Sequence, residues 1–169
     1  MIKSKLERIK YKLIERLHEN SDDEIILKTL PVEKITEFEK KYQVKLPQEI
    51  VDFYTKVSNG VVFYPNDICN LEPFENWCFN EKLVNTDFNV ENDMTYDDFN
   101  TIENNNYSFA VSGNIDLMDL GCGMSYRIVV KGKHYGEIIG LYEMYLEITH
   151  KNFIDWFEGC FDGTDKNML

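Results

Sequence analysis

The stretch that decides the fold is residues 31–60, PVEKITEFEKKYQVKLPQEIVDFYTKVSNG. Each half of it follows a leucine and begins with a proline, which suits the start of a helix because the missing N–H would have no helical partner there. Apolar residues then recur at helical spacing: Ile35, Phe38 and Tyr42 in the first half, and Ile50, Phe53, Tyr54 and Val57 in the second. Asn59-Gly60 supplies a left-handed stop. The stretch therefore predicts two short helices that meet at a proline-marked corner.

Residues 1–20 predict a further amphipathic helix ahead of this corner. Its apolar stripe consists of Ile2, Leu6, Ile9, Leu13 and Leu17. Lysine and arginine surround the stripe, a pattern that fits a helix touching a membrane or a partner, or a helix packed on the core. Interspersed glutamates favour the core-packed alternative.

Beyond Gly60 the period shortens to that of strands. Strands are predicted at 61–63, at 109–111, along the alternating Tyr126, Ile128 and Val130, and at 134–139 after a two-residue turn at Gly132-Lys133. A last helix is predicted from a Thr149 cap, with Phe153, Trp156, Phe157 and Cys160 on one face and Gly163 beyond its end. This order predicts an α+β fold, a mainly antiparallel sheet flanked by N-terminal helices and a C-terminal helix.

The chain has 169 residues and a formal net charge of −12, which disfavours nucleic-acid binding by a basic surface. The charge is unevenly spread: residues 61–120 hold 12 acidic residues and 1 basic one, whereas residues 1–60 hold 11 and 12. The segment 64–107 is acidic and rich in aromatic residues and asparagine, which indicates loops over a buried or partner-binding apolar surface.

The length predicts a single domain over 1–169. No apolar run is long enough to span a bilayer, and no signal peptide is apparent, so we expect a cytoplasmic protein. The four cysteines are Cys69, Cys78, Cys122 and Cys160. Their irregular spacing disfavours a disulfide framework or a zinc knuckle, and we interpret them as reduced apolar residues.

Four short pieces of the first third carry a resemblance to a known family: 35–39 (ITEFE), 46–50 (LPQEI), Phe53-Tyr54 and 58–60 (SNG). Together they resemble the N-terminal signature of the SUKH superfamily, the Smi/Knr-like fold. Downstream, 120–126 (LGCGMSY) is similar to the family's glycine-rich turn before a central strand, 136–138 to its return strand, and 149–161 to its closing helix. The resemblance extends over residues 30–161.

The resemblance implies a non-enzymatic binding protein. Many members of this superfamily are bacterial immunity proteins that neutralise a cognate polymorphic toxin, often a nuclease, and fungal members are regulatory scaffolds. The predicted function is therefore an immunity protein for a basic, nuclease-type toxin, acting as a monomer or weak homodimer. The alternative is a regulatory or scaffold domain that recognises a host protein.

Catalytic and cofactor motifs are weak. His18, His134 and His150 show no recognisable spacing with other ligands, and we interpret His134 as an exposed strand residue. The single G-x-G at 121–123 lacks the remainder of a dinucleotide fingerprint, and nothing near Cys122 in sequence would activate its thiol. The sequence therefore assigns no catalytic residue, cofactor or metal ligand, and the Asp93–Asp98 region lacks the spacing of a calcium loop.

The remaining interpretation of the acidic segment is a partner surface, with a solvated loop as the alternative. The predicted partner-binding residues are Glu72, Glu75, Trp77, Glu91, Asp93, Tyr96, Asp97 and Asp98. The carboxylates would steer a basic partner, and an aromatic side chain would anchor it. Trp77 is the first candidate anchor and Tyr96 the second, with burial in the core as the other reading of Trp77.

Overall fold

The computed structural model describes residues 4–19, 24–25, 28–62, 70–102 and 107–163. Its helices are α1 (Lys5–Glu19), α2 (Val32–Tyr42), α3 (Gln48–Lys56), α4 (Tyr96–Asn100), α5 (Ser108–Val111) and α6 (Phe153–Phe161), with a 3₁₀ turn at Phe74–Asn76. Its strands are β1 (Glu24–Ile25), β2 (Val61–Val62), β3 (Asn114–Gly121), β4 (Met124–Val129), β5 (Glu137–Tyr142) and β6 (Tyr145–Asn152). The predicted α+β class is confirmed.

The proline-marked corner is present. Pro31 and Pro47 occupy the cap positions directly before α2 and α3, with extended ψ of 137° and 138°. The predicted stop at Asn59-Gly60 is wrong in position, since α3 ends at Lys56. Gly60 (φ 118°) instead lets the backbone pass close to Pro73, whose nitrogen a Cβ would meet at 3.0 Å.

Helix α1 packs as predicted, with Ile9 and Leu13 buried; Ile2 lies outside the described residues. Ion pairs join α1 to α6: Arg8 and Lys12 both contact Glu158, at 2.8 and 3.0 Å. These two cations hold the pKa of the Glu158 carboxyl down, at about 2. The basic face of α1 is therefore partly occupied within the fold.

Strands β3 to β6 form one antiparallel sheet in the order β3-β4-β5-β6. The predicted hairpin is confirmed as β4 and β5, but the predicted two-residue turn at Gly132-Lys133 is wrong. The connection spans 130–136. The N–H groups of Val130 and Lys131 both donate to the Gly113 carbonyl, so these residues do not continue the pairing of β4 with β5. His134 accordingly lies in this connection and not in a strand.

Two other local predictions are wrong. Residues 109–111 belong to the one-turn helix α5 and not to a strand, since the Ala110 and Phe109 side chains are needed in the core on that side. Thr149 lies within β6, a strand that the sequence interpretation missed, and α6 is capped instead by Asn152, whose side chain accepts from the Asp155 N–H at 2.9 Å. The predicted apolar face of α6 and the position of Gly163 beyond its end are confirmed.

The sheet is covered on both faces. Tyr126, Ile128 and Ile138 belong to the core formed with α1, α2, α3 and α6. Their neighbours Val129 and Ile139 belong to a second core. Successive strand side chains point to opposite faces, so the two cores lie on opposite sides of the sheet. The second core is completed from the acidic segment, by Phe88 and Phe99, and by α5.

Gly132 fixes the acidic segment against the sheet. Phe88 donates to the Lys131 carbonyl at 3.0 Å, and its own carbonyl accepts from Lys133 at 2.8 Å. A Cβ on Gly132 would lie 2.4 Å from the Phe88 nitrogen and 2.5 Å from its oxygen. Backbone atoms in a ladder of this kind have no freedom to withdraw.

We therefore expect Gly132→Ala to lower the free energy of unfolding by about 2–4 kcal/mol, through both the positive φ and the clash. Gly123→Ala is the matched control, since Gly123 has a similar φ of 77° but no atom within 4 Å of the added Cβ. Urea denaturation measures both. Equal losses would show that the close approach to Phe88 has no energetic weight.

Candidate functional site

The structure places six of the eight predicted partner-binding residues on three concave surfaces. Glu91, Asp93 and Asp98 line a cavity of about 480 Å³ around the segment before α4. Glu75 and Trp77 line an aromatic groove beside α2. Glu72 lies apart from both groups, in a cavity next to the β3–β4 turn. The eight residues therefore do not form one site.

Three of the predicted carboxylates hold the fold together. Asp98 accepts from the Thr95 N–H and hydroxyl, both at 2.7 Å, in a capping box that begins α4. Asp93 accepts from the Ile148 N–H at 2.8 Å and so ties the segment to β6. Glu91 pairs with Lys133. Hydrogen bonding lowers the pKa of Asp98 through Thr95 and that of Glu91 through Lys133.

Tyr96 and Asp97, the two predicted residues that line none of these surfaces, are exposed to solvent. Tyr96 is 61% exposed. Asp97 is exposed and, among the described residues, has no hydrogen-bonding or ion-pair partner. Of the five predicted residues between Glu91 and Asp98, these two are the ones that a partner could contact without disturbing the fold.

Trp77 belongs to the core, which was the alternative to its predicted role as an anchor. It is 7% exposed, and its indole Nε1 donates to the Tyr54 hydroxyl at 3.2 Å. Phe38 and Phe74 pack against its ring with centroids 5.9 and 4.8 Å away. The half-buried Phe74, Phe79 and Tyr42 form the accessible wall of the groove, and Glu75 stands at its rim.

The cavity next to the β3–β4 turn is here called the acidic cleft. Its volume is about 460 Å³. Its lining residues are Glu72, Asn76, Cys78, Asp116, Asp119, Gly121, Cys122, Gly123, Met124, Ser125, Arg127 and Leu141. The turn 121–123 closes β3 onto β4 with three consecutive positive φ values, 79°, 52° and 77°. The glycine-rich turn noted in the sequence thus forms one wall of the cleft.

A buried ion pair forms part of this lining. Arg127 is 6% exposed, and its guanidinium donates to Asp116 at 3.1 Å and to the Asn114 side-chain oxygen at 2.6 Å. Burial raises the pKa of Asp116 to about 6 in spite of this contact. Burial also lowers the pKa of Arg127, which nonetheless stays charged at neutral pH. Water is therefore largely excluded from the pair.

The cleft carries more negative than positive charge. Glu72 and Asp119 add two carboxylates to the Asp116–Arg127 pair. Asp119 also accepts from the Gly121 N–H at 2.8 Å, which fixes its carboxylate at the turn. Carboxylates in a recess bind guanidinium and ammonium groups through charge-assisted hydrogen bonds. The arrangement fits a cationic side chain of a partner.

The lining contains two thiols. Cys78 and Cys122 are exposed thiols, but no histidine is among the lining residues of the described part of the chain. A thiol nucleophile needs a neighbouring base or cation to form the thiolate at neutral pH. Arg127, the cation present, is engaged by Asp116 and Asn114.

Sequence reasoning missed Asp116, Asp119 and Arg127. The sequence does contain a signal for them: charged residues stand among the apolar residues of β3 and β4, and a buried charge needs a partner. It also missed that His134, Glu137 and His150 meet in space, because a β-bulge sets their distance.

Removing the guanidinium should destabilise the fold in a pH-dependent way. Arg127→Met leaves the Asp116 carboxylate buried without its counter-charge, which costs about 3–5 kcal/mol for a buried pair. The folded-state pKa of Asp116 is already raised, so its ionised form opposes folding as pH rises above the unfolded value of 3.8 and through about 6. We expect the loss to be larger at pH 8 than at pH 5, measured by urea denaturation at both.

The double variant Asp116→Asn/Arg127→Met is the control, because no buried charge is left behind. It should recover part of the stability at pH 8. Equal losses for Arg127→Met at the two pH values would contradict the electrostatic account of the pair.

A model of the SMI1 / KNR4 family (SUKH-1) matches residues 29–159 of this chain. No curated protein and no solved structure matches it. Among the described residues, none of the helices is both long and apolar enough to cross a membrane.

Proposed function

We propose that this chain, which belongs to the SMI1 / KNR4 family (SUKH-1), is a non-enzymatic immunity protein that binds and neutralises a cognate bacterial toxin. The match extends over more than three quarters of the chain and agrees with the resemblance seen in the sequence. An immunity role is compatible with the family. The observation that carries the finer proposal is the acidic cleft beside the β3–β4 turn.

The proposed toxin is a basic protein of the nuclease type. A nuclease presents lysine and arginine side chains because it must bind phosphates. The cleft offers Glu72, Asp116 and Asp119 to such a side chain, with their excess negative charge held in a recess. An inhibitor that occupies these cations would compete directly with the nucleic acid for them.

The surrounding charge extends this complementarity. Residues 61–120 contain 12 acidic residues and 1 basic residue, and Asp97 and Glu75 are exposed. When an acidic surface meets a basic one, the attraction raises the association rate more than it lengthens the lifetime of the complex. Inhibition would occur in the cytoplasm, before the toxin reaches its substrate, by steric and electrostatic blocking.

Tyr96 is the proposed aromatic anchor. Its exposed ring adjoins the free carboxylate of Asp97, and tyrosine is enriched among interface residues that contribute most to affinity. Trp77 contributes to the fold instead, through its contacts with Tyr54 and Phe38. A partner would meet the groove through Phe74 and Phe79.

Co-expression with the product of the adjacent gene tests the function. If that gene encodes a toxin, this chain should restore growth and co-purify with the toxin. A toxin variant lacking its catalytic residue is the control for complex formation without selection. Full toxicity in the presence of this chain, together with no co-purification, would refute the proposal; a complex with a non-toxic host protein would favour the scaffold alternative.

The role of the cleft has its own test. The double variant Glu72→Gln/Asp119→Asn removes two charges and keeps the hydrogen-bond acceptors for Asn76 and Gly121. We expect association with the toxin to slow by about tenfold at low salt and to depend less on ionic strength. Surface plasmon resonance over a salt series measures both quantities.

Glu15→Gln/Glu33→Gln is the matched control, which also removes two charges, from exposed carboxylates of α1 and α2 that are not among the residues lining the cleft. It should leave the association rate almost unchanged. An equal effect of both variants would show that net charge, and not the cleft, steers the partner. Asp93 and Asp98 are unsuitable for such a test because their removal would disturb β6 and α4.

A further inference from the structure

Two of the three histidines meet one glutamate at the edge of the sheet. His134 Nδ1 lies 3.0 Å from Glu137 Oε2, and His150 Nδ1 lies 3.3 Å from the same oxygen. The ligand-type atoms of all three side chains lie within 4.8 Å of one another. None of these residues is among those that line the acidic cleft.

The backbone at both histidines is in the left-handed region, which is uncommon for residues other than glycine. His134 has a φ of 61° and His150 a φ of 53°. Such conformations cost free energy, and they are often found where a side chain has a functional position. Here the two strained residues are the two that converge on Glu137.

A β-bulge directs His150 to this point. The register of β5 with β6 shifts between Glu137, which faces Asn152, and Ile139, which faces Ile148. β6 therefore has extra residues there, and His150 is one of them. The Thr149 hydroxyl holds the bulge by donating to the Ile138 carbonyl at 2.6 Å. Bulges commonly redirect a side chain next to a functional site.

His134 is held from the other side. Its carbonyl accepts from the Glu137 N–H at 2.8 Å, which sets the distance between the two side chains. Its ring meets the buried Phe88 ring edge-on, with centroids 6.4 Å apart. The imidazole thus has a fixed orientation before any ligand arrives.

From this geometry we propose that His134, Glu137 and His150 form a binding site for one divalent transition-metal ion, with Zn²⁺ as the best-fitting ion. In a tetrahedral zinc site with bonds of about 2.0–2.2 Å, neighbouring ligand atoms are about 3.3–3.6 Å apart. The two observed nitrogen-to-oxygen distances, 3.0 and 3.3 Å, are close to that spacing. Two imidazoles and one carboxylate are a ligand set that zinc uses.

The site is accessible to an ion and leaves room for one more ligand. The His134 side chain is 15% exposed, that of Glu137 31% and that of His150 69%. The nearby cation Lys133 is paired with Glu91. A fourth position would be open to water or to a side chain of another protein.

Zinc titration of the untagged protein tests the site. To remove competing thiols, Cys69, Cys78 and Cys122 are replaced by serine, a background that spares the buried Cys160. Isothermal titration calorimetry should show one Zn²⁺ bound per chain, and thermal unfolding should shift upward with Zn²⁺ and return with a chelator. Co²⁺ should give the visible absorption of a site with nitrogen and oxygen ligands.

Three variants probe the ligands. His134→Asn, His150→Asn and Glu137→Gln should each weaken zinc binding at least about tenfold. Even the mutation of a residue that only hydrogen-bonds to a metal ligand lowers metal affinity by about 10–100-fold. Asparagine is chosen because it tolerates the left-handed backbone. His18→Asn, at an exposed position of α1, is the matched control and should bind zinc as the parent does.

His150→Asn decides the question if His134→Asn fails to fold, because the His150 side chain is mostly exposed. Absence of saturable zinc binding would overturn the proposal, as would zinc binding that survives His150→Asn. An equal loss in His18→Asn would do the same. None of these results bears on inhibition of a toxin, since the charged residues of the cleft, Glu72, Asp116, Asp119 and Arg127, are unchanged in every variant.

Discussion

The sheet is apolar on both faces, and the rest of the structure follows from that constraint. β4 shows this: Tyr126 and Ile128 enter one core, while Val129, the next residue, enters the other. A sheet of this kind is stable only when both faces are covered. Helices α1, α2, α3 and α6 cover the first face. The Phe53 ring packs against those of Phe153 and Phe157, with ring centroids 5.3 Å apart in both pairs. The second face is left for the segment between β2 and β3.

That requirement gives the acidic segment its form. Phe88 and Phe99 point into the second core, so the polar residues between them are left to face water or to bond the backbone. Asp93 and Asp98 take the second course. The negative charge of the middle third is therefore partly structural, and the charge available to a partner is concentrated in fewer side chains than composition suggests. Asp97 and the carboxylates of the acidic cleft account for much of the negative charge that a partner could contact.

The predictability of each element depended on how locally it is determined. α2 and α3 follow from prolines and a helical apolar period within 30 residues, and α6 from the spacing of Phe153, Trp156 and Phe157. Residues 109–111 have strand propensity but form α5, because packing on the second face overrides it. The cleft needs the pairing of Asp116 with Arg127 across β3 and β4, and the histidine cluster needs the β6 bulge. Register of this kind is set by long-range contacts that single-sequence patterns do not contain.

The sheet also separates the two proposed sites. The acidic cleft lies at the turn that joins β3 to β4, and the histidine cluster lies beside the connection that joins β4 to β5. Successive connections in an antiparallel sheet lie at opposite ends, and the six residues of β4 extend about 17 Å between them. Leu141 lines the cleft at one end of β5, and Glu137 begins β5 at the other. The two sites are therefore linked by a buried strand, not by a shared surface, so a bound metal ion would act on a partner in the cleft only by changing the position or stability of β5.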